Sequence, residues 1–244
     1  MKKRIYGEAG HGGSDSGAVG YVVERDVNIK VVKAFKTHLE DNYDCMFYMD
    51  ITADSTHNIA KRANKWMADL FVSVHFNAGG GDGFEALVYG ADSKALGQCF
   101  AKHAKAAGQN LRSSSVAAGV KYRPDLNVLR LTKMKAVLCE VAFVDNKKDI
   151  KDWDSDAELK KMGIALAEAA AEWLDLPAKE EKYKALQDMN FRKTADLDGA
   201  VLGTIKKGTI LKGTVDKNGW LKTMHGGKTG FVRQKGEKVY CQKV

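Results

Sequence analysis

The sequence is poor in proline: Pro124 and Pro177 are the only two among 244 residues. With 44% apolar residues it reads as globular, and it is long enough to bury a sizeable core. It has no apolar run of membrane-spanning length, which excludes a transmembrane helix. Met1-Lys2-Lys3-Arg4 is basic but leads straight into a strand pattern with no apolar h-region. The expectation is therefore no secretory signal and a cytoplasmic location at synthesis. Cysteine pairs are also missing. Cys45, Cys99, Cys139 and Cys241 are scattered with no Cys-x-x-Cys spacing, so they read as reduced, mostly buried thiols.

Excess charge is absent from most of the chain. Residues 1–180 hold 25 Lys and Arg against 25 Asp and Glu, whereas residues 181–244 hold 14 against 6. The whole excess of +8 thus lies on the C-terminal quarter, which argues for two domains and an anionic partner of the second. No recognition helix or stacking motif accompanies that charge, so nucleic acid is not the expected partner.

Up to about residue 175 the pattern alternates between strands and helices. Strands are expected at Arg4–Ala9, Cys45–Met49, Leu70–His75, Phe84–Tyr89, Val128–Leu131 and Ala136–Val141. Helices are expected from Glu24 through Leu39, His57–Met67, Ser93–Ala107, and from a capping box at Ser155-Asp156-Ala157-Glu158 to about Leu174. Leu111–Asp125 is polar and irregular and reads as a loop, one wall of a cleft. The fold class that follows is α/β, with a mainly parallel twisted sheet and helices on both faces. The charged, non-periodic stretch at 177–182 reads as a linker between a domain at 1–176 and a second at 183–244. In that second domain short strands and the turn signals Asn218-Gly219 and Gly226-Gly227 suggest a small all-β barrel.

The chemistry-bearing stretch is Gly10-His11-Gly12-Gly13, a histidine among glycines just after the first strand, where backbone can turn sharply and approach a ligand. His75 closes a second apolar strand. In an open α/β sheet, ligands bind beyond the carboxyl ends of the strands, and His11, His75 and Glu140 each lie at or near such an end. Zinc hydrolases commonly use two histidines and one carboxylate. Asp15, Glu24 and Glu140 are the acidic candidates near that rim. One would be a ligand and another a proton carrier, since amide hydrolysis needs a base for water and an acid for the leaving nitrogen. A carboxylate inside Val137-Leu138-Cys139-Glu140-Val141-Ala142-Phe143 is costly to bury without a purpose, the bland alternative being a pair with Lys135 or Arg130. Cys139 points to the opposite strand face from Glu140. His38, His57, His103 and His225 have no matching partners and read as surface or capping residues.

Four segments in order, Ala9-Gly10-His11-Gly12-Gly13-Ser14-Asp15-Ser16-Gly17-Ala18, Glu24, Ser73-Val74-His75-Phe76-Asn77-Ala78 and Leu138-Cys139-Glu140-Val141-Ala142-Phe143-Val144-Asp145-Asn146, resemble the zinc N-acetylmuramoyl-L-alanine amidases. That family includes phage endolysins and bacterial autolysins, and the resemblance covers about residues 4 to 175. It implies His11, Glu24 and His75 as zinc (Zn2+) ligands and Glu140 as the catalytic carboxylate; Asn77, two residues after His75, is a candidate substrate-binding residue. The choice of Glu24 over Asp15 comes from the resemblance. It further implies hydrolysis of the amide between N-acetylmuramic acid and L-alanine in bacterial peptidoglycan. The alternatives are a zinc peptidase acting on stem peptides or cross-bridges, or a wall-binding protein without activity. The sequence departs from the family at Glu8, where an aspartate is usual, and at Lys135, where a proline often precedes the last strand. Met189-Asn190-Phe191-Arg192 and the glycine and aromatic pattern after it resemble bacterial SH3 domains, which implies attachment to the cell wall, with the lysines attracted to anionic wall polymers. Without an export signal, the expectation is an endolysin that reaches the wall with holin assistance.

Overall fold

The computed structural model describes residues 1–216 and 218–244, which divide into two compact units, Met1–Pro177 and Ala178–Val244.

In the first unit, β1 (Lys3–Ala9) leads to α1 (Glu24–Asn42), β2 (Cys45–Asp50), α2 (Thr56–Trp66), β3 (Leu70–Asn77) and β4 (Glu85–Val88). Then come α3 (Lys94–Ala106), β5 (Val120–Tyr122), α4 (Asn127–Arg130), β6 (Lys135–Phe143), α5 (Lys147–Ile150) and α6 (Asp156–Leu174). The six strands form one sheet in the order β2-β1-β3-β6-β4-β5. It is mixed rather than wholly parallel, because β4 runs antiparallel to β6. The reason is length: only the glycine-rich stretch 78–84 joins β3 to β4, too short for the crossover that a parallel return requires. Asp145 holds this loop by accepting from the amides of Gly79 and Gly80 at 2.7 and 3.0 Å.

Strand alternation divides the core in two. Ile5, Val72, Val74, Val137, Cys139 and Val141 face α1, α3 and α6, whose Val31, Phe35, Phe100, Leu159 and Leu166 fill the larger cluster. Tyr6, Phe71, Leu87 and Leu138 face the other way, onto Ile59 and Ala63 of α2 and Val128 and Leu129 of α4. The polar end of this second face carries the site. Ser55 caps α2, and the Ser155–Glu158 capping box that the sequence suggested opens α6.

Two local expectations are corrected. Val128–Leu131 is not a strand: residues 127–130 form α4, with the amides of Leu129 and Arg130 bonded to the carbonyl of Leu126. Three apolar residues in a stretch of four, Val128-Leu129-Arg130-Leu131, fit either period, so the pattern alone could not choose. Within the expected loop 111–125, Val120–Tyr122 pairs with β4 as the edge strand β5.

The second unit is an all-antiparallel sheet of β7 (Glu181–Ala185), β8 (Met189–Arg192), β9 (Val201–Ile205), β10 (Ile210–Val215), β11 (Trp220–His225), β12 (Lys228–Arg233) and β13 (Cys241–Lys243). The strand order is β13-β7-β10-β11-β12-β8-β9. Its core holds Tyr183, Met189, Phe191, Leu211, Leu221 and Val232. Glu181 and Lys182, assigned to the linker from sequence, already pair with Gly213 and Lys212. Their charge hid the strand, because the buried alternation starts only at Tyr183.

Candidate functional site

On the second face of the first sheet, polar residues stand in register across the strands. Asp50, Glu8 and Ser73 lie side by side on β2, β1 and β3. One pleat further on, His75, Glu140 and Glu85 lie side by side on β3, β6 and β4.

The chain leaving β1 turns sharply to bring His11 to this row. His11 itself has φ +63, a left-handed conformation that costs a non-glycine residue about 1 kcal/mol. Gly12 and Asp15 close the turn with reciprocal amide–carbonyl bonds of 2.9 and 2.8 Å. That closure swings the Asp15 carboxylate under the imidazole, with Oδ2 at 2.8 Å from His11 Nδ1. Asp15 Oδ1 meanwhile accepts from the amide of Gly17 at 3.0 Å.

Glu24, the first residue of α1, is buried, and a carboxylate there is favoured by the helix's N-terminal end. Its Oε1 lies 3.2 Å from His11 Nε2 and 2.9 Å from His75 Nδ1, and it accepts from the amide of Phe76 at 3.2 Å. Its Oε2 accepts from the amide of Ala18 at 2.8 Å. One donor atom from each of His11, Glu24 and His75 thus lies within 4.8 Å of the others.

Two glycines make room for this meeting. A Cβ on Gly10 would lie 2.1 Å from His75 Cε1, and one on Gly17 would lie 2.5 Å from Glu24 Oε2. Behind His75, the buried Glu8 accepts a hydrogen bond from the Ser73 hydroxyl, and its Oε2 lies 3.9 Å from His75 Nε2.

The electrostatics follow from these contacts. The hydrogen bond to Glu24, helped by Asp15, raises the pKa of His11 to about 9. Burial pulls His75 down, but Glu24, Glu8 and Glu140 together push it above its ordinary value. Burial works against the charge of Glu24, yet the two histidines hold its pKa well below the usual carboxylate range. Glu140 goes the other way. Burial lifts it to about 7, opposed by His75 and assisted by the charges of Glu24 and Glu85. Its Oε2 is buried with no hydrogen-bond partner among the described residues.

The bland alternative for Glu140 fails, since Lys135 pairs with Asp92 at 2.7 Å and Arg130 bonds Asn127. Cys139 is fully buried on the opposite face. Asn77 lies beside the row, its Nδ2 donating to Glu85 at 3.3 Å. Sequence reasoning missed Glu85 and Arg112, whose Nη1 sits 2.5 Å from Glu85 Oε2. It also missed the Asp50–Arg62 pair at 2.8 Å. For Asp50 the alternation of the strand was the available signal. For Arg112, coming from an irregular loop, there was none.

Cys99, His103 and Glu172 form a second group of donor atoms within 4.8 Å of one another. Lys102 already pairs with Glu172, and burial pushes the Cys99 thiol up to about 11, so these donors are committed to joining α3 to α6. His38 does the same between α1 and α6, 2.6 Å from Glu168. Among the described residues no helix is long and apolar enough to cross a membrane.

A family model described as N-acetylmuramoyl-L-alanine amidase matches residues 6–172. The chain is 36% identical over 204 residues to the endolysin of Bacillus phage SPP1, a match covering 75% of this chain and 73% of the phage protein. It is 30% identical over 219 residues to the N-acetylmuramoyl-L-alanine amidase CwlM of Bacillus licheniformis, covering 84% and 82%. Among solved structures, the catalytic domain of the amidase CwlV from Bacillus (Paenibacillus) polymyxa var. colistinus matches with a TM-score of 0.64 at 28% identity, over 72% of this chain and 99% of that one.

Proposed function

The chain belongs to the N-acetylmuramoyl-L-alanine amidase family, and from that premise we propose that His11, Glu24 and His75 hold a zinc ion beside Glu140, the proton-carrying carboxylate. The enzyme is a peptidoglycan amidase of the endolysin and autolysin kind. The bond assigned to it is the amide between N-acetylmuramic acid and the L-alanine of the stem peptide.

Two imidazole nitrogens and one carboxylate oxygen are a donor set that suits zinc and leaves a coordination position open. Zinc bound there would supply Lewis acidity to the amide carbonyl and to water. The protein's own groups do the rest. Asp15 fixes the His11 ring so that Nε2, not Nδ1, faces Glu24. Glu140 takes a proton from the attacking water and delivers it to the departing amine. A carboxyl lifted to about 7 is close to balance between its two forms at neutral pH, which suits a group that must accept and then donate. The observation that carries the reading is the orphaned Glu140 Oε2, buried in register with His75, where the three donors converge.

The test is Glu140→Ala. It should keep zinc, measured by metal analysis, and lose the release of L-alanine amino termini from purified walls. Retained release would overturn the assignment of Glu140, and new amino termini other than that of L-alanine would point to a peptidase.

For residues 178–244 the proposal is an SH3-like module that holds the enzyme on the wall through anionic polymers. Its antiparallel sheet, its concentrated positive charge and a recess of about 260 Å³ support this. Arg192, Trp220, Arg233 and Tyr240 are among the residues lining that recess, with the Arg233 guanidinium 5.1 Å from the Trp220 ring centroid.

A further inference from the structure

The row of side chains on the site face continues past Glu140. Glu85 stands directly opposite it on β4, and Lys121 on β5 stands opposite Leu87, two residues further along β4 and on the same face. Arg112 fills the space near them. Its Nη1 lies 2.5 Å from Glu85 Oε2, and its guanidinium lies 5.0 Å from the centroid of the Phe143 ring. Glu85 is only 3% exposed and also accepts from Asn77, so the partner that anchors Arg112 is itself fixed. A guanidinium has five N–H donors, and the Glu85 bond uses one.

With Ser113, Ser115 and Lys121, Arg112 lines a recess of about 170 Å³. One carboxylate, already paired, faces two cations there, so the recess is net positive. Arg123, further along, is neutralised by Asp125 at 2.7 Å. The other flank of Glu140 has the opposite character. Glu8 and Asp50 lie there, and the Arg62 charge is divided between Asp50 at 2.8 Å and Asp54 at 2.6 Å.

A muramoyl–alanine amide has a sugar on one side and a carboxylate-bearing peptide on the other. Of the two flanks, among the described residues, it is the Arg112 side that offers cationic donors with bonding capacity left over. We infer that the recess between Arg112 and Lys121 is the subsite for a carboxylate of the stem peptide, with Glu85 lying between it and Glu140. The inference rests on the amidase reading above. A charge-assisted contact made in a partly enclosed recess discriminates between a carboxylate and its carboxamide by about tenfold.

The experiment uses the full-length, zinc-loaded protein and two muropeptides. They differ only in whether the second stem residue carries a free carboxylate or a carboxamide. The expected result is a kcat/KM about tenfold higher for the free carboxylate, the difference lying in KM. Lys121→Gln should lower the rate on the free-carboxylate stem by more than on the carboxamide stem, bringing the ratio toward one. Arg112→Lys, checked for an unchanged melting temperature, should do the same. Equal cleavage of both stems by the wild type, or a preference that survives Lys121→Gln, would overturn the subsite and leave the amidase reading standing. Failure to release L-alanine amino termini from either stem would overturn the amidase reading and the subsite with it.

Discussion

Asp15 Oδ2 lies 2.8 Å from Nδ1 of His11, on the side of the ring turned away from Glu24. A carboxylate in that position keeps the imidazole in one tautomer and one orientation, and removing such a partner typically weakens metal affinity by about 10- to 100-fold. Asp15→Ala should therefore bind zinc that much less tightly while keeping its fold. Competition against a chelator, with circular dichroism as the control, measures this. Unchanged zinc affinity would show that the turn alone positions His11.

Zinc binding should release protons at neutral pH. Without metal, His11 titrates at about 9 and is charged at pH 7, whereas a metal-ligating imidazole must be neutral. Glu24, held well below the usual carboxylate range, is already ionised and releases none. Apparent zinc affinity should rise with pH until about 9 and then level off. Titration calorimetry in two buffers of different ionisation enthalpy counts the protons, and a count of zero at pH 7 would contradict the electrostatics. The metal-free fold responds with the opposite sign. The raised pKa of His11 contributes stability that is fully present below about 6.5, its ordinary value, and is lost as pH rises through about 9. The melting temperature of the metal-free protein should fall across that window.

Gly10 and Gly90 make a matched pair of substitutions. A Cβ on Gly10 would lie within 2.1–2.5 Å of His75 ring atoms, and the ring is too well held to give way cheaply. Gly10→Ala should displace His75, cost about 1–3 kcal/mol in urea unfolding and lose most zinc binding. Gly90 has extended backbone, and its nearest contact would be Asp92 Oδ1 at 3.9 Å. Gly90→Ala should match the wild type in both measurements. If the two variants behave alike, steric room at Gly10 is not what the site depends on.

Attachment through the positive C-terminal unit should be sensitive to salt. The full-length Glu140→Ala protein, unable to degrade its own support, should bind purified walls at 50 mM salt and be released by several hundred millimolar, as screening shortens the reach of surface charge to a few ångströms. Walls stripped of anionic polymers should retain less protein, and duplex DNA should not compete. Salt-independent binding would point to the aromatic recess instead of the lysines.

How much of this could be read from the sequence depended on the range of the interactions. Leu70–Asn77 and Lys135–Phe143 were legible as strands because burial on both faces leaves a continuous apolar run. His11, His75 and Glu140 were legible from their places at strand ends, Glu24 was singled out from Asp15 only by the family resemblance, and the structure brings all four to one rim. The roles of Asp15 and Glu8 were not, because they depend on which nitrogen of each imidazole points where. The Glu85–Arg112 contact joins residues 27 apart through an irregular loop, and no local period encodes such a pair. The direction of β4 was set by loop length, and the alternating pattern concealed it.

The strand that carries Glu140 is the last of its sheet to be synthesised, yet it lies between β3 and β4. Before Lys135–Phe143 is in place, those two strands present bare facing edges, which invite pairing with other chains. The proposed ligand residues His11, Glu24 and His75 would by then all exist, without Glu140, the residue proposed to move the proton. A nascent or truncated chain ending before Lys135 should thus be prone to aggregate. Threading a central strand last is also a non-local step that slows folding. The same insertion that completes the sheet also sets Glu140 beside His75.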